Sequence, residues 1–107
     1  MAINSRAKGC RGEIECAKLF RSYGFTEARR GQQYHGGPDS PDVVGVPGLH
    51  IEVKRTERLN LYDALAQAKR DAGEDLPVVI HRRNDSPWVA IMDFDDWMKI
   101  FREWFNA

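Results

Sequence analysis

The stretch of sequence that decides the fold is SPDVVGVPGLHIEVKR, residues 40–55. It contains two short runs rich in β-branched residues, residues 42–46 and 49–55, with Pro47 and Gly48 between them. Short β-branched runs bounded by turn residues are typical of strands, and a Pro-Gly turn between two such runs favours a hairpin. The stretch therefore predicts two antiparallel strands in the middle of the chain.

The second of these strands is expected to have one apolar and one polar face, because successive side chains on a strand point in opposite directions. The apolar positions are Leu49, Ile51 and Val53, and the polar positions are His50, Glu52 and Lys54. Asp42 begins the first strand, and the hairpin turn can bring it beside the polar face of the second. Its carboxylate would then meet that of Glu52 and the ammonium group of Lys54.

Two converging carboxylates supply the hard oxygen ligands that Mg²⁺ uses, together with water and substrate phosphate. An ammonium group beside them can orient or help deprotonate an attacking water and offset charge on a phosphate. We therefore expect Asp42, Glu52 and Lys54 to form a catalytic centre, with the two carboxylates as metal ligands. Each residue alone has a plainer interpretation, since charged side chains often occupy solvated strand faces and an Asp after Pro often belongs to a turn.

Hydrophobic periodicity and turn residues place the other elements around this hairpin. Helices are predicted over residues 5–23, 61–72 and 94–105, and further strands over residues 25–30, 76–81 and 88–92. The resulting order, α-β-β-β-α-β-β-α, is typical of one sheet with helices packed against it. The middle helix is long enough for a right-handed crossover, so the strands before and after it are expected to be parallel. Asp93 or Asp95 is the expected N-cap of the last helix.

The pattern Pro41-Asp42 followed by Glu52-Val53-Lys54 resembles the signature of the PD-(D/E)XK nuclease superfamily. Over residues 5–101 the chain more narrowly resembles small Holliday junction resolvases of archaeal and phage type. The resemblance implies a restriction-endonuclease-like α/β core, a central mixed sheet of about five strands flanked by helices. It also implies hydrolysis of phosphodiester bonds in DNA with Mg²⁺, for which Mn²⁺ can substitute, to leave 5′-phosphate ends. A resolvase would act on branched DNA as a homodimer, in DNA recombination and repair.

The same resemblance adds two residues to the expected catalytic set. Gly12-Glu13 on the first helix matches an acidic position of these resolvases, which makes Glu13 a further metal or water ligand, with a plain helix-surface position as the alternative. Gln67 matches a position where related nucleases place a glutamine near the active site, or it is a polar residue of the helix surface. Glu15 lies about 200° from Glu13 around the helix, so the two cannot face one ion.

Two features depart from the family pattern. Arg30-Gly31 leads to Gln32, where these resolvases often have a serine. Asp39 precedes Asp42 by three residues, so the first acidic position is ambiguous. We favour Asp42 because its strand pairs naturally with the strand that follows.

The net charge is zero, but its distribution is uneven. Residues 1–58 hold ten Lys or Arg against seven Asp or Glu, a balance of +3, and residues 59–107 hold six against nine, a balance of −3. A basic face on one half suits a polyanion such as DNA, although chance clustering on a solvated surface gives the same pattern. The candidate DNA contacts are Arg6, Lys8, Arg11, Arg29, Arg30, Arg55 and Arg58. Since we find no recognition helix or zinc finger, we expect binding selective for DNA structure rather than for base sequence.

The last predicted helix carries a stripe of aromatic residues at helical spacing: Trp97, Phe101, Trp104 and Phe105. Such a stripe is more often part of a core than of an interface. Any part of it that stays exposed would be a natural dimer surface.

The length of 107 residues predicts one domain, residues 1–107. No apolar run approaches the roughly 20 residues needed to span a bilayer, and no signal-peptide segment is evident. We therefore expect a cytoplasmic protein with no membrane partner. The cell would be bacterial, archaeal or phage-infected. Cys10 and Cys16 fit neither a CxxC motif nor a zinc pattern, and Cys16 is expected in the core.

Several functions stay open at this point. A nuclease of this type can also cut flaps, nicks or plain duplex, and the sequence does not separate these substrates from junctions. A non-catalytic nucleic-acid-binding module would keep the fold without the chemistry. A structural or protein-interaction domain would use the acidic second half and the aromatic helix.

Overall fold

The computed structural model describes residues 5–31 and 41–107, without the side chains of residues 5 and 6. Within that part of the chain the elements follow the predicted order. They are α1 (Ser5–Ser22), β1 (Arg29–Arg30), β2 (Val43–Val44), β3 (Leu49–Arg55), α2 (Leu61–Asp71), β4 (Leu76–Arg82), β5 (Val89–Ile91) and α3 (Phe94–Asn106). The protein is an α/β protein, as the sequence predicts.

The five strands form one mixed sheet in the order β1-β2-β3-β4-β5. The central strands β3 and β4 are parallel, with Leu49 opposite Leu76 and Arg55 opposite Arg82. The remaining neighbours are antiparallel. The predicted hairpin and the predicted parallel pair across α2 are therefore both confirmed.

The two faces of β3 and β4 are covered by different helices, which divides the core in two. Under α1, buried Ile51 and Val53 of β3 pack with Cys16 and Ala17. Under α2, a second cluster contains Ala64, Leu65, Ala68 and Val79. The apolar face predicted for β3 is thus confirmed, and its polar face lies on the α2 side instead of in open solvent.

Small residues let α1 approach the sheet closely. A Cβ atom on Gly12 would lie 2.7 Å from the Cβ of Arg55 on β3, which is too close for two carbon atoms. Cys16 and Ala17 are buried further along the same helix, whereas Ile14 is 52% exposed. The face of α1 that contacts the sheet at this point is made of small side chains.

The first two strands are shorter than predicted. Of residues 25–30 only the last two pair with β2, because the chain first makes a turn in which the Ala28 N–H donates to the Phe25 carbonyl (3.0 Å). Strand β2 ends before Gly45, whose φ of +88° lies in the left-handed region. A Cβ there would lie 2.1 Å from the Glu27 carbonyl oxygen, so the close backbone approach at this point needs glycine.

Helix α3 does not enter the core, so the more common interpretation of its aromatic stripe is wrong. None of its residues is buried, because α1 and α2 already cover the two faces of the central strands. Asp93 is its N-cap residue, as expected, but its side chain makes no capping hydrogen bond; its carboxylate instead pairs with Lys69 Nζ at 2.8 Å. No helix in the described part of the chain is long and apolar enough to cross a membrane.

Candidate active site

Asp42 is fixed against β3 by two hydrogen bonds. Its backbone N–H donates to the Ile51 carbonyl, and its carboxylate oxygen Oδ2 accepts from the Val53 N–H, both at 2.8 Å. These bonds hold the side chain at the entrance to β2, directly beside Glu52. The hairpin therefore brings together the two acidic residues that the sequence pairs.

The carboxyl groups of Asp42 and Glu52 lie in contact, close enough for a hydrogen bond whenever one of them is protonated. Burial, and then the negative charge of Glu52, raise the pKa of Asp42 to about 6, against the lowering effect of the Val53 N–H and of Lys54. Burial also raises the pKa of Glu52, although the bond to Asp42 and the charge of Lys54 act in the opposite direction. Two carboxyls in contact, with little water around them, favour a shared proton or a bound cation.

Glu52 has a second partner, the buried residue His50. Nε2 of His50 lies 2.9 Å from Glu52 Oε1, and both residues are 4% exposed. Asp71, on the last turn of α2, completes a group in which one ligand atom from each of the three residues lies within 4.8 Å of the others. A set of one imidazole and two carboxylates is able to hold a divalent metal ion.

Two sequence signals were available for this group. His50 alternates with Glu52 and Lys54 on one face of β3, so the strand pattern already placed it beside the proposed ligands. Asp71 lies four residues after Gln67, on the same face of α2, but its distance from β3 depends on how the helix packs, so the sequence alone does not predict the contact.

Lys54 lies at the edge of this acidic group and contacts α2. Its Nζ donates to Gln67 Oε1 at 3.4 Å, a long hydrogen bond. Lys54 and Gln67 also line a surface cleft with Asn60 and Arg70. The ammonium group is therefore half-buried, next to the two carboxyls, with one side open to a ligand.

Glu13 faces the same site from α1, but it is already paired. Its Oε2 accepts from Arg30 Nε at 2.5 Å. Burial raises the pKa of Glu13, Arg30 lowers it, and the negative charge of Asp42 raises it again, which indicates that Glu13 and Asp42 are close enough to repel. Glu15 points elsewhere, towards Arg82 and the indole N–H of Trp88, in keeping with the predicted angle between the two glutamates.

Some of the candidate DNA contacts are committed to partners within the chain. Lys8 and Arg55 both form ion pairs with Glu57, at 3.6 and 3.5 Å, and Arg30 holds Glu13. Three others are exposed and form no ion pair among the described residues: Arg11, Arg29 and Arg58. Arg29 donates to the Glu27 carbonyl.

Three residues weighed in the sequence analysis lie outside what the structure describes. They are Gln32, Asp39 and the side chain of Arg6. The structure therefore supports the pairing of Asp42 with Glu52, but the position of Asp39, the other candidate for the first acidic residue, lies outside the described residues.

A scan against protein-family models finds no match, and a search of curated proteins finds none either. The geometry of the site is thus the basis for a functional assignment.

Proposed function

We propose that this protein is a metal-dependent DNA endonuclease that hydrolyses phosphodiester bonds at a site formed by Asp42, Glu52 and Lys54. The observation that carries the proposal is the contact between the Asp42 and Glu52 carboxyls, with the Lys54 ammonium two residues further along the same face of β3. Burying two acidic groups against each other is unfavourable for folding. A function that uses concentrated negative charge explains why the fold contains them.

A divalent cation fits this donor set. The Asp42 and Glu52 carboxyls are in contact, and a cation between them would neutralise both carboxylates at once. Mg²⁺, with Mn²⁺ as a substitute, prefers such oxygen ligands. The ion would supply charge neutralisation at the phosphate and lower the pKa of an attacking water. Glu13 would join the site once Arg30 released it. His50 would hold Glu52 from its other side, and Asp71 would add a further carboxylate near Glu52.

The remaining groups act on the phosphate. Lys54 is placed to contact a non-bridging oxygen or to orient the water, and Gln67 limits the positions its flexible side chain can adopt. Arg70 and Asn60 continue the cleft beyond Lys54, so a neighbouring phosphate of the same strand would find hydrogen-bond donors there. The exposed Arg11, Arg29 and Arg58 extend the positive charge.

Branched DNA is the substrate that we favour. The reasons are the resemblance of Pro41-Asp42 and Glu52-Val53-Lys54 to resolvase motifs and the lack of a recognition helix in the described part of the chain. Flap, nicked and duplex DNA remain alternative substrates for the same chemistry. On this proposal the protein acts in the cytoplasm of a bacterial, archaeal or phage-infected cell.

The decisive experiment compares four-way junction, flap and linear duplex DNA in Mg²⁺, with EDTA as the control. We expect paired symmetric nicks on the junction and loss of cleavage in EDTA. The variants Asp42→Ala and Glu52→Ala should also lose cleavage. Both should retain DNA binding, because each variant loses negative charge. Glu74→Ala, which removes an exposed carboxylate from the turn after α2, should cleave normally.

Other outcomes discriminate between the alternatives. Equal cutting of all three substrates would remove the resolvase assignment and leave the nuclease. Undiminished cleavage by Asp42→Ala or Glu52→Ala would disprove the proposed site. Salt-dependent DNA binding without any cleavage would point to a binding module, and no DNA binding at all would point to a structural domain.

A further inference from the structure

Helix α3 presents one continuous apolar side to solvent, which we call the aromatic face. It consists of Phe94, Trp97, Ile100, Phe101, Trp104 and Phe105, whose exposed fractions run from 37% to 72%. The rings contact one another along the helix: the centroids of Trp97 and Phe101 are 5.3 Å apart, and those of Phe101 and Trp104 are 5.7 Å apart. Exposed apolar patches of this size usually mark an interaction site.

The rest of the described chain gives this helix little support. None of the 13 residues of α3 is buried, and none belongs to either core cluster. An isolated helix shorter than roughly 12–15 residues is marginal in water, since most helical stability in proteins comes from packing of the apolar face. A partner that covers the aromatic face would supply that packing.

We propose that this partner is a second copy of the chain, and that the two α3 helices pair through their aromatic faces. Phe94, Trp97, Phe101 and Trp104 alternate spacings of three and four residues, the spacing of a seam between two packed helices. With about 200 Å² for each aromatic side chain, the aromatic face exposes roughly 600 Å². Two copies would bury about 1,200 Å², which reaches the lower range of specific interfaces.

Charge favours a second copy over a lipid surface. Helices that lie on membranes carry Lys and Arg on their polar side. The polar side of α3 instead carries Asp95, Asp96 and Glu103 against Lys99 and Arg102, and Lys99 is already paired with Asp96 at 3.2 Å. An antiparallel pair of helices would keep the acidic first turns of the two copies at opposite ends.

The test is the molar mass of the full chain, measured by analytical ultracentrifugation from low micromolar to about 100 µM. Wild type is expected at twice the 12.3 kDa of one chain. The double variant Phe101→Glu, Trp104→Glu is expected at half the wild-type mass, because each charged side chain would be buried in the pair. Glu103→Ala, on the opposite side of the same helix, should keep the wild-type mass.

Folding of the double variant is checked by its chemical unfolding transition, which the α/β core should preserve since neither residue is buried. A monomeric wild type at every concentration, or a double variant that keeps the dimer mass, would overturn the proposal. So would a monomeric wild type that binds vesicles of phosphatidylcholine and phosphatidylglycerol through α3. No DNA or metal is needed, so the result is independent of the proposed nuclease activity.

Discussion

The carboxyl groups of Asp42 and Glu52 are in contact across the hairpin that joins β2 to β3, and the charge of Glu52 helps to raise the pKa of Asp42. Asp42 is held there by the Val53 N–H, and Glu52 by His50, so neither carboxyl can turn away from the other without losing a partner. The fold thus holds two acidic groups in contact at the expense of its own stability.

Replacing Asp42 by asparagine should stabilise the metal-free protein at neutral pH. Asparagine can still accept from the Val53 N–H, and its amide can donate to Glu52. The pKa of Asp42 is raised from its usual 3.8 to about 6, so its contribution to stability is fully present below pH 4 and is lost as the pH rises through 6. Asp42→Asn does not ionise and should be more stable than wild type at pH 7 by about 1–3 kcal/mol.

Urea unfolding in EDTA at pH 4 and pH 7 measures this difference, which should nearly vanish at the lower pH. Added Mg²⁺ should stabilise wild type more than Asp42→Asn. Glu74→Gln provides the control for loss of an exposed carboxylate and should behave as wild type. A variant that is less stable than wild type at pH 7 would show that the two carboxyls do not repel each other.

His50→Ala should weaken metal binding although Asp42 and Glu52, the ligands of the proposed site, are both retained. The imidazole lies 2.9 Å from Glu52 Oε1 in a buried environment, and without it the carboxylate gains rotational freedom. Loss of such orienting partners typically costs 10–100-fold in metal affinity or activity. We expect the Mg²⁺ concentration for half-maximal cleavage to rise by about tenfold or more. His50→Asn, which can keep a hydrogen bond, should recover part of the loss, and an unchanged Mg²⁺ dependence in His50→Ala would contradict this role.

Lys54→Met should reduce cleavage far more than Gln67→Ala. Methionine keeps much of the apolar stem but removes the charge at the phosphate, and charged groups of this kind contribute roughly 10²–10³-fold to rate. Gln67 accepts a hydrogen bond from the ammonium group, at 3.4 Å, so its loss should cost about tenfold through positioning. Single-turnover rates at saturating enzyme measure both effects. Equal losses in the two variants would assign Gln67 a direct contact with the substrate.

Gly12→Ala should destabilise the protein although alanine favours helices. The new methyl group would lie 2.7 Å from the Cβ of Arg55, and neither the helix nor the strand can yield without disturbing the core under α1. Overpacking of this kind costs about 1–3 kcal/mol. Gly9→Ala on the same helix meets nothing within 4 Å and should be neutral or stabilising. Thermal unfolding of the two variants makes the comparison, and equal stability would show that α1 can shift without cost.

The sequence predicts the positions of strands correctly wherever the local hydrophobic pattern and the burial of the side chains agree. The apolar alternation of Leu49, Ile51 and Val53 and the continuous apolar run of β4 identified the two central strands almost to the residue. Prediction was weaker at β1 and β2, where a turn at Ala28 and the left-handed Gly45 shorten the strands. Those limits arise from contacts between segments that are distant along the chain.

What the sequence determined by itself is the order of the elements, the hairpin at residues 40–55 and the acidic and basic groups that lie on one face of β3. These follow from the period of the side chains and from turn residues, which are local properties. Only the tertiary structure decided that His50 and Asp71 join Glu52, that Arg30 occupies Glu13, and that α3 stays outside the core. Each of these depends on how helices pack on the sheet, and the distances between packed elements are set by the whole set of side chains in contact, not by any single segment.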